Sequence, residues 1–154
     1  MKFRQLPVWV KTAAILYAAL MMWLLFGQRL GYSRVGLSEY ISQNVILMPL
    51  LTVRRFVGVL MRGEGGYRAL HAFVNLVGNV VMFIPMGILA PIFSGEKATF
   101  WRCMAKCAAV IVSVELIQLF AMLGTCDIDD FILNMLGSAI GCGIYSLYKM
   151  KPKR

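Results

Sequence analysis

Four stretches of this chain are predominantly apolar over about 20 residues: about Val8–Phe26, Leu70–Phe93, Phe100–Leu123 and Phe131–Tyr148. Crossing a hydrocarbon core of about 30 Å takes about 20 residues at a rise of 1.5 Å each, so each stretch is long enough for a transmembrane helix. A fifth apolar run, VILMPLLTVRRFVGVLM (Val45–Met61), is broken by Pro49 and by Arg54–Arg55. It predicts a helix lying in the interface or dipping part way in, its arginines reaching headgroups. GEGG, Gly63–Gly66, then reads as a flexible turn. The pattern as a whole predicts an all-α membrane fold with about four transmembrane helices plus an interfacial or re-entrant helical segment after the first span. Residues 1–27 form the N-terminal transmembrane helix, 28–66 an extracytoplasmic or interfacial segment, 67–148 a three-helix core and 149–154 a basic cytoplasmic tail.

The polar residues that interrupt these runs are spaced by helical geometry. His71, Asn75 and Asn79 recur four apart and share one face of the second span. Pro85, in the same span, predicts a kink that frees carbonyls for a neighbour. Glu115 and Gln118 share a face of the third span, Glu115 about 12 Å below the loop at Gly124 and so at hydrocarbon depth. The fourth span opens on DIDD, where an aspartate can cap the free N–H groups and sit at the positive end of the helix dipole. Asn134, Gly137 and Gly141 follow on one side, a spacing that lets another helix come close. The second span starts at the membrane face where the third ends and the fourth begins. His71, Asn75, Asn79, Glu115, Gln118, Asp127, Asp129, Asp130 and Asn134 therefore fall in one leaflet half, whichever way the chain faces.

Composition supports the lipid solvent: 60% of residues are hydrophobic and 15% charged, with positive mean hydropathy. The formal charge of +9 raises nucleic acid as a partner, but its distribution follows the membrane instead. Lys2, Arg4 and Lys11 precede the first span, Lys97, Arg102 and Lys106 surround the turn between the second and third, and Lys149, Lys151, Lys153 and Arg154 close the chain. These ten share one side, against six arginines (Arg29, Arg34, Arg54, Arg55, Arg62 and Arg68) on the other, which predicts both termini in the cytoplasm. No small-x-small site follows the first span, so it reads as uncleaved. The four cysteines show no zinc or disulfide spacing; Cys103, Cys107 and Cys142 read as packing residues, while Cys126 stands alone in a loop of undecided role.

Glu115, Asp127, Asp129 and Asp130 are four of the seven acidic residues in the chain. An ionisable group at membrane depth is a candidate functional residue, because it is costly there unless partnered. For Glu115 the structural alternative is a hydrogen-bonded knot with Gln118 and Asn79; for His71 it is an interfacial position. The aspartates lack the glycine turn and terminal glutamate of a calcium loop. Asp127, Asp129 and Asp130 could hold a divalent cation against a lipid phosphate; otherwise no cofactor is indicated, and one of them reads simply as a helix cap. Gly137 and Gly141 fit internal packing and a homodimer equally.

The motifs NLVGNVVMFIPMG (Asn75–Gly87), ELIQ (Glu115–Gln118) and DIDDFILNMLGSAIG (Asp127–Gly141) together resemble the VanZ-like family of small bacterial membrane proteins. The likeness covers about Leu70–Tyr145, and VILMPLLT is more loosely similar to a proline-containing stretch after that family's first span. By resemblance, Asn75, Asn79, Pro85, Gly87, Glu115, Gln118, Asp127, Asp129, Asp130, Asn134 and Gly137 occupy the family's motif positions. The chain departs from many members by having Gly124–Thr125–Cys126 where they place an arginine just before the aspartates. The resemblance implies a multi-pass protein of the bacterial cell membrane, and the family's namesake is linked to teicoplanin resistance. Three functions stay open. One is an extracytoplasmic polar pocket that binds or remodels a membrane lipid or a lipid-linked or surface glycan. The second is a membrane-embedded hydrolase or transferase using Glu115, Asp127 or Asp130. The third is a scaffold or regulator acting through helix contacts at Gly137 and Gly141.

Overall fold

The computed structural model describes residues 6–27, 35–63, 66–95 and 98–150, with residues 60, 68, 71 and 72 described by their backbone alone. The expectations for the basic residues at 2, 4, 29, 34, 97, 151, 153 and 154, for residues 64–65 of the turn and for the side chains of Arg68 and His71 lie outside the described residues. Among the described residues six helices form in chain order: α1 (Val8–Met22), extended by a wider π turn at Trp23–Gly27; α2 (Leu37–Asn44); α3 (Leu51–Met61); α4 (Tyr67–Ser94); α5 (Phe100–Phe120); and α6 (Ile128–Met150). Among the described residues four segments are long and apolar enough to cross a membrane: Val8–Gly27, Phe73–Ser94, Phe100–Phe120 and Ile128–Met150. Their outward faces carry Ile15, Leu16, Val74, Val81, Ile117 and Ile144, while Glu115, Gln118, Asp129, Asn134 and Ser138 are buried. Apolar outside with polar groups inside is the reverse of a protein packed for water.

The tightest seam joins α4 to α6. A methyl group added at Gly137 would collide with the carbonyl of Val80, at Gly141 with that of Ile84, and at Gly87 with that of Ser138. The partners advance by four on both helices, so α4 and α6 run parallel and begin at the same membrane face, as the span count predicts. The glycine spacing is thus used inside the chain. Phe83 and Ile111 fill the core beside Met21, with Met82, Met86 and Met135 packed around them, and Cys103, Met104 and Cys142 form a second cluster, so these cysteines and methionines do serve as filling.

Helix α4 runs through Pro85 and Pro91. In the turn before Pro85 the carbonyl of Met82 accepts the Tyr17 hydroxyl at 2.8 Å, tying α1 to α4. Thr99 caps α5, its hydroxyl accepting from the Arg102 amide at 3.4 Å. At the other end α5 stops at Phe120, shorter than the predicted Leu123. There Met122, at φ +56°, turns the chain so that the Leu123 amide donates to Gln118 and the Met122 amide to Leu119.

The broken run after the first span divides in a way its apolar pattern does not show. Asn44 ends α2, and Val45–Ile46 (β1) pairs in parallel with Cys126–Asp127 (β2), Val45 opposite Cys126 and Ile46 opposite Asp127. Two residues of strand are a small departure from an all-helical fold. They give extended backbone next to the bilayer partners that it would otherwise lack. Helix α3, 11 residues or about 16 Å, is too short to cross by itself. It leans on α4 through Phe56 and Phe73, their ring centroids 6.4 Å apart.

The glycine seam sets a test. Gly137→Ala and Gly141→Ala should each cost about 1–3 kcal/mol, because the collision is with backbone that cannot rotate away. Gly143→Ala, which meets nothing within 4 Å, should be neutral or slightly stabilising. Thermal unfolding of the purified protein in detergent reads all three; equal midpoints would refute the seam.

Candidate functional site: the carboxylates at the head of the last helix

Asp127, Asp129 and Asp130 lie within one turn, and the helix points them at three different elements. Asp127 caps its own helix, its Oδ1 accepting from the Asp129 amide at 2.9 Å while Oδ2 accepts the Thr52 hydroxyl at 2.9 Å. Asp129 is 1% exposed and serves a different helix. Its two oxygens accept the Leu50 amide at 2.6 Å and the Thr52 amide at 2.7 Å, donors at the start of α3 that have no partner within that helix. Leu50 sits at φ +61°, left-handed backbone that costs a branched residue about 1–2 kcal/mol. Two charge-assisted bonds of about 1.5–3 kcal/mol each offset that. Asp130 turns the other way, its Oδ1 accepting from Asn79 Nδ2 at 2.5 Å and so joining α6 to α4.

Below this turn, Glu115 is buried on α5 and lines a cavity of about 200 Å³ with Leu47, Val112, Cys126 and Asp127. The Cys126 thiol is pushed above its ordinary value, first by burial and then by the like charges of Glu115 and Asp127. Gln118, also buried, donates from its Nε2 to the Leu25 carbonyl at 2.8 Å. That bond holds the π turn ending α1, while Asn79 donates to Asp130, so both side chains tie helices together. Asn134 is buried one turn beyond Asp130 on α6, and its Oδ1 accepts no hydrogen bond among the described residues. Asn75 is half-buried and makes no side-chain hydrogen bond among them. The aspartate oxygens meet N–H and O–H donors instead of converging. Among the described residues no three His, Cys, Asp or Glu side chains are grouped to hold a metal ion.

The structure adds residues that the sequence pattern does not single out. Thr52 and the Leu50 amide receive two of the aspartates, and the Tyr40 hydroxyl donates to the Gly124 carbonyl at 3.1 Å. A proline two residues before a helix start, with a threonine in its first turn, was the available signal in Pro49–Leu50–Leu51–Thr52. The Gly124–Thr125–Cys126 loop gives its backbone to Tyr40 and to β1.

The VanZ/LLP1 family model matches residues 14–149. This protein belongs to the VanZ/LLP1 family. The match takes in α1 from Ala14 and the Pro49–Thr52 stretch as well as the region from Leu70 to Lys149. The chain is also similar to Protein VanZ of Enterococcus faecium, at 25% identity over 132 residues, which are 86% of this chain and 70% of that protein. No solved structure matches it. With the four apolar helices, membership makes this a multi-pass membrane protein, a VanZ-like chain whose aspartates bind the Pro49–Thr52 stretch to the last helix.

Two measurements probe these ties. Asp129→Asn should weaken the docking of α3 by about 2–3 kcal/mol and Thr52→Val by about 1 kcal/mol. Hydrogen exchange at the Leu50 and Thr52 amides would show it, and unchanged protection in Asp129→Asn would refute the tie. Alkylation of Cys126 should also lag behind an ordinary thiol below pH 9, since a raised thiol holds less thiolate at any given pH. Glu115→Gln removes one of the like charges, lowers that thiol and should speed the reaction; no change would mean that Glu115 carries no charge there.

Proposed function

We propose that the end of the bundle where α4 and α6 begin faces the extracytoplasmic side, with both termini in the cytoplasm. There it binds the polar part of a lipid-linked or surface glycan, and by doing so lowers susceptibility to glycopeptides such as teicoplanin. The observation that carries this reading is the cavity beside β1 and β2, a mainly apolar hollow bordered by the buried Glu115 and Asp127. A sugar or headgroup hydroxyl donates well to carboxylates, and at low dielectric such bonds are strong. Asn134 Oδ1 adds a buried acceptor of the kind that a ligand hydroxyl or an ordered water satisfies. The bias of basic residues supports the orientation. Family membership supports the envelope setting, and likeness to Protein VanZ supports the antibiotic phenotype.

The scaffold reading is weaker, because α4 already covers the face of α6 that carries Gly137 and Gly141. The enzymatic reading needs a nucleophile or activated water, which the cavity does not single out.

Survival of a sensitive host under teicoplanin tests the proposal, comparing wild type, Glu115→Gln and Asp130→Asn at equal membrane abundance. Labelling of Cys126 in intact cells by a membrane-impermeant maleimide accompanies it. Wild type should protect, both variants should lose most of the protection, and Cys126 should label from outside. Equal protection by all three would reduce the carboxylates to structural ties, and labelling only after lysis would reverse the orientation.

A further inference from the structure

At the opposite end of the bundle lies a second hollow, which the carboxylate site does not use. It opens between α1, α4 and α5, has a volume of about 290 Å³, and is walled by Ala14 and Ala18 on α1, Met86 and Ala90 on α4, and Val110 on α5. The alanines leave the space that larger side chains would fill. It follows α4 from Met86 to Phe93, about 10 Å along the axis. Lys106 on α5 lines it too. The Lys106 ammonium donates to the Ser94 hydroxyl at 2.7 Å, and Ser94 is the last residue of α4. The hollow is therefore apolar along its length and cationic at the end where α4 stops. Lys11 stands three residues before Ala14, on the same face of α1, which adds a second cation toward that end.

We propose that this groove binds one acyl chain of an anionic phospholipid, with the phosphate held at the Lys106 ammonium; the Ser94 hydroxyl donates to the Ala90 carbonyl at 2.8 Å and serves to hold that ammonium at the end of the groove. A hollow on the side of a membrane helix bundle faces lipid tails, and leaving it empty forfeits packing contacts along every wall. An acyl chain matches its shape and its apolar lining. The chain alone gives no selectivity, because it is as well solvated in the surrounding bilayer as in the groove. Selectivity has to come from the head, and an ammonium held at the end of the groove favours a net negative phosphate ester over a zwitterionic one. This site is independent of the glycan reading: it lies at the other end of the helices and shares no residue with the carboxylate cavity.

The test uses the full chain purified in detergent, with dioleoylphosphatidylglycerol and dioleoylphosphatidylcholine added in equal amounts and retained lipid read by native mass spectrometry. Wild type should keep phosphatidylglycerol in preference. Lys106→Gln should cut that preference about fivefold, the effect of one lysine at a membrane surface, while a bound lipid of either kind is still seen. Ala90→Leu, which fills the groove and leaves the ammonium in place, should reduce retention of both lipids. Three results would overturn the proposal: no preference in wild type, preferences unchanged in both variants, or a lipid-free dimer showing that a second copy fills the groove. Because neither variant touches Glu115, Asp127 or Asp130, teicoplanin survival can fail while this test succeeds, or the reverse.

Discussion

Beside a bilayer the unpaired N–H groups at the start of a helix have little water to turn to, and at the head of α3 two of them are given to the carboxylate of Asp129. Much of the site's arrangement depends on this. The carboxylate stays buried because it is fully used, and Leu50 stays in a left-handed turn because the same oxygens hold it there. The segment after the first span is thereby pinned to the last helix, although neither is next to the other in sequence. Asp127 reinforces the tie from the neighbouring turn through the Thr52 hydroxyl. The parallel pairing of Val45–Ile46 with Cys126–Asp127 then closes the edge of the cavity that Glu115 lines.

The seam between α4 and α6 complements this polar end. Close approach of two helices in lipid relies on packing, not on expulsion of water, so it needs residues small enough for backbones to touch. Gly87, Gly137 and Gly141 supply that contact through the middle of the pair, and Asn79 with Asp130 supplies a hydrogen bond at its head. The glycines set the separation, and the polar pair fixes the rotation. Glu115 and Gln118 reach inward from α5, and Gln118 fastens α1 by the carbonyl of Leu25.

Much of the fold could be read from the chain because lipid imposes one requirement that sequence displays openly, a run of about 20 apolar residues. The four spans, the shared end of α4 and α6 and the helix cap at DIDD follow from length, parity and helical spacing. The small-residue spacing at Gly137 and Gly141 indicated a close contact, and only the structure shows α4 as the partner. The uses of Asp129 and Asp130 were not legible, because each bonds to a group far away in the chain whose sequence signal is weak. Leu50 contributes a backbone amide, whose only signature is the helix-start pattern of Pro49 and Thr52 on either side of it. Gln118 was placed on the right face, but its partner is a carbonyl that any residue at position 25 would present. The ties that organise the site are largely contacts between a side chain and a distant backbone, which helical spacing alone cannot locate.

The distance in sequence between Thr52 and Asp129, 77 residues, also has a consequence for biosynthesis. At about 5–20 residues per second, the helix start that needs the carboxylate leaves the ribosome about 4–15 s before the carboxylate itself. During that interval three of the four spans can be inserted while the head of α3 has no permanent acceptor. The start of the last helix therefore completes the loop that follows the first, and truncation ahead of Asp129 would leave unfinished a region synthesised long before it.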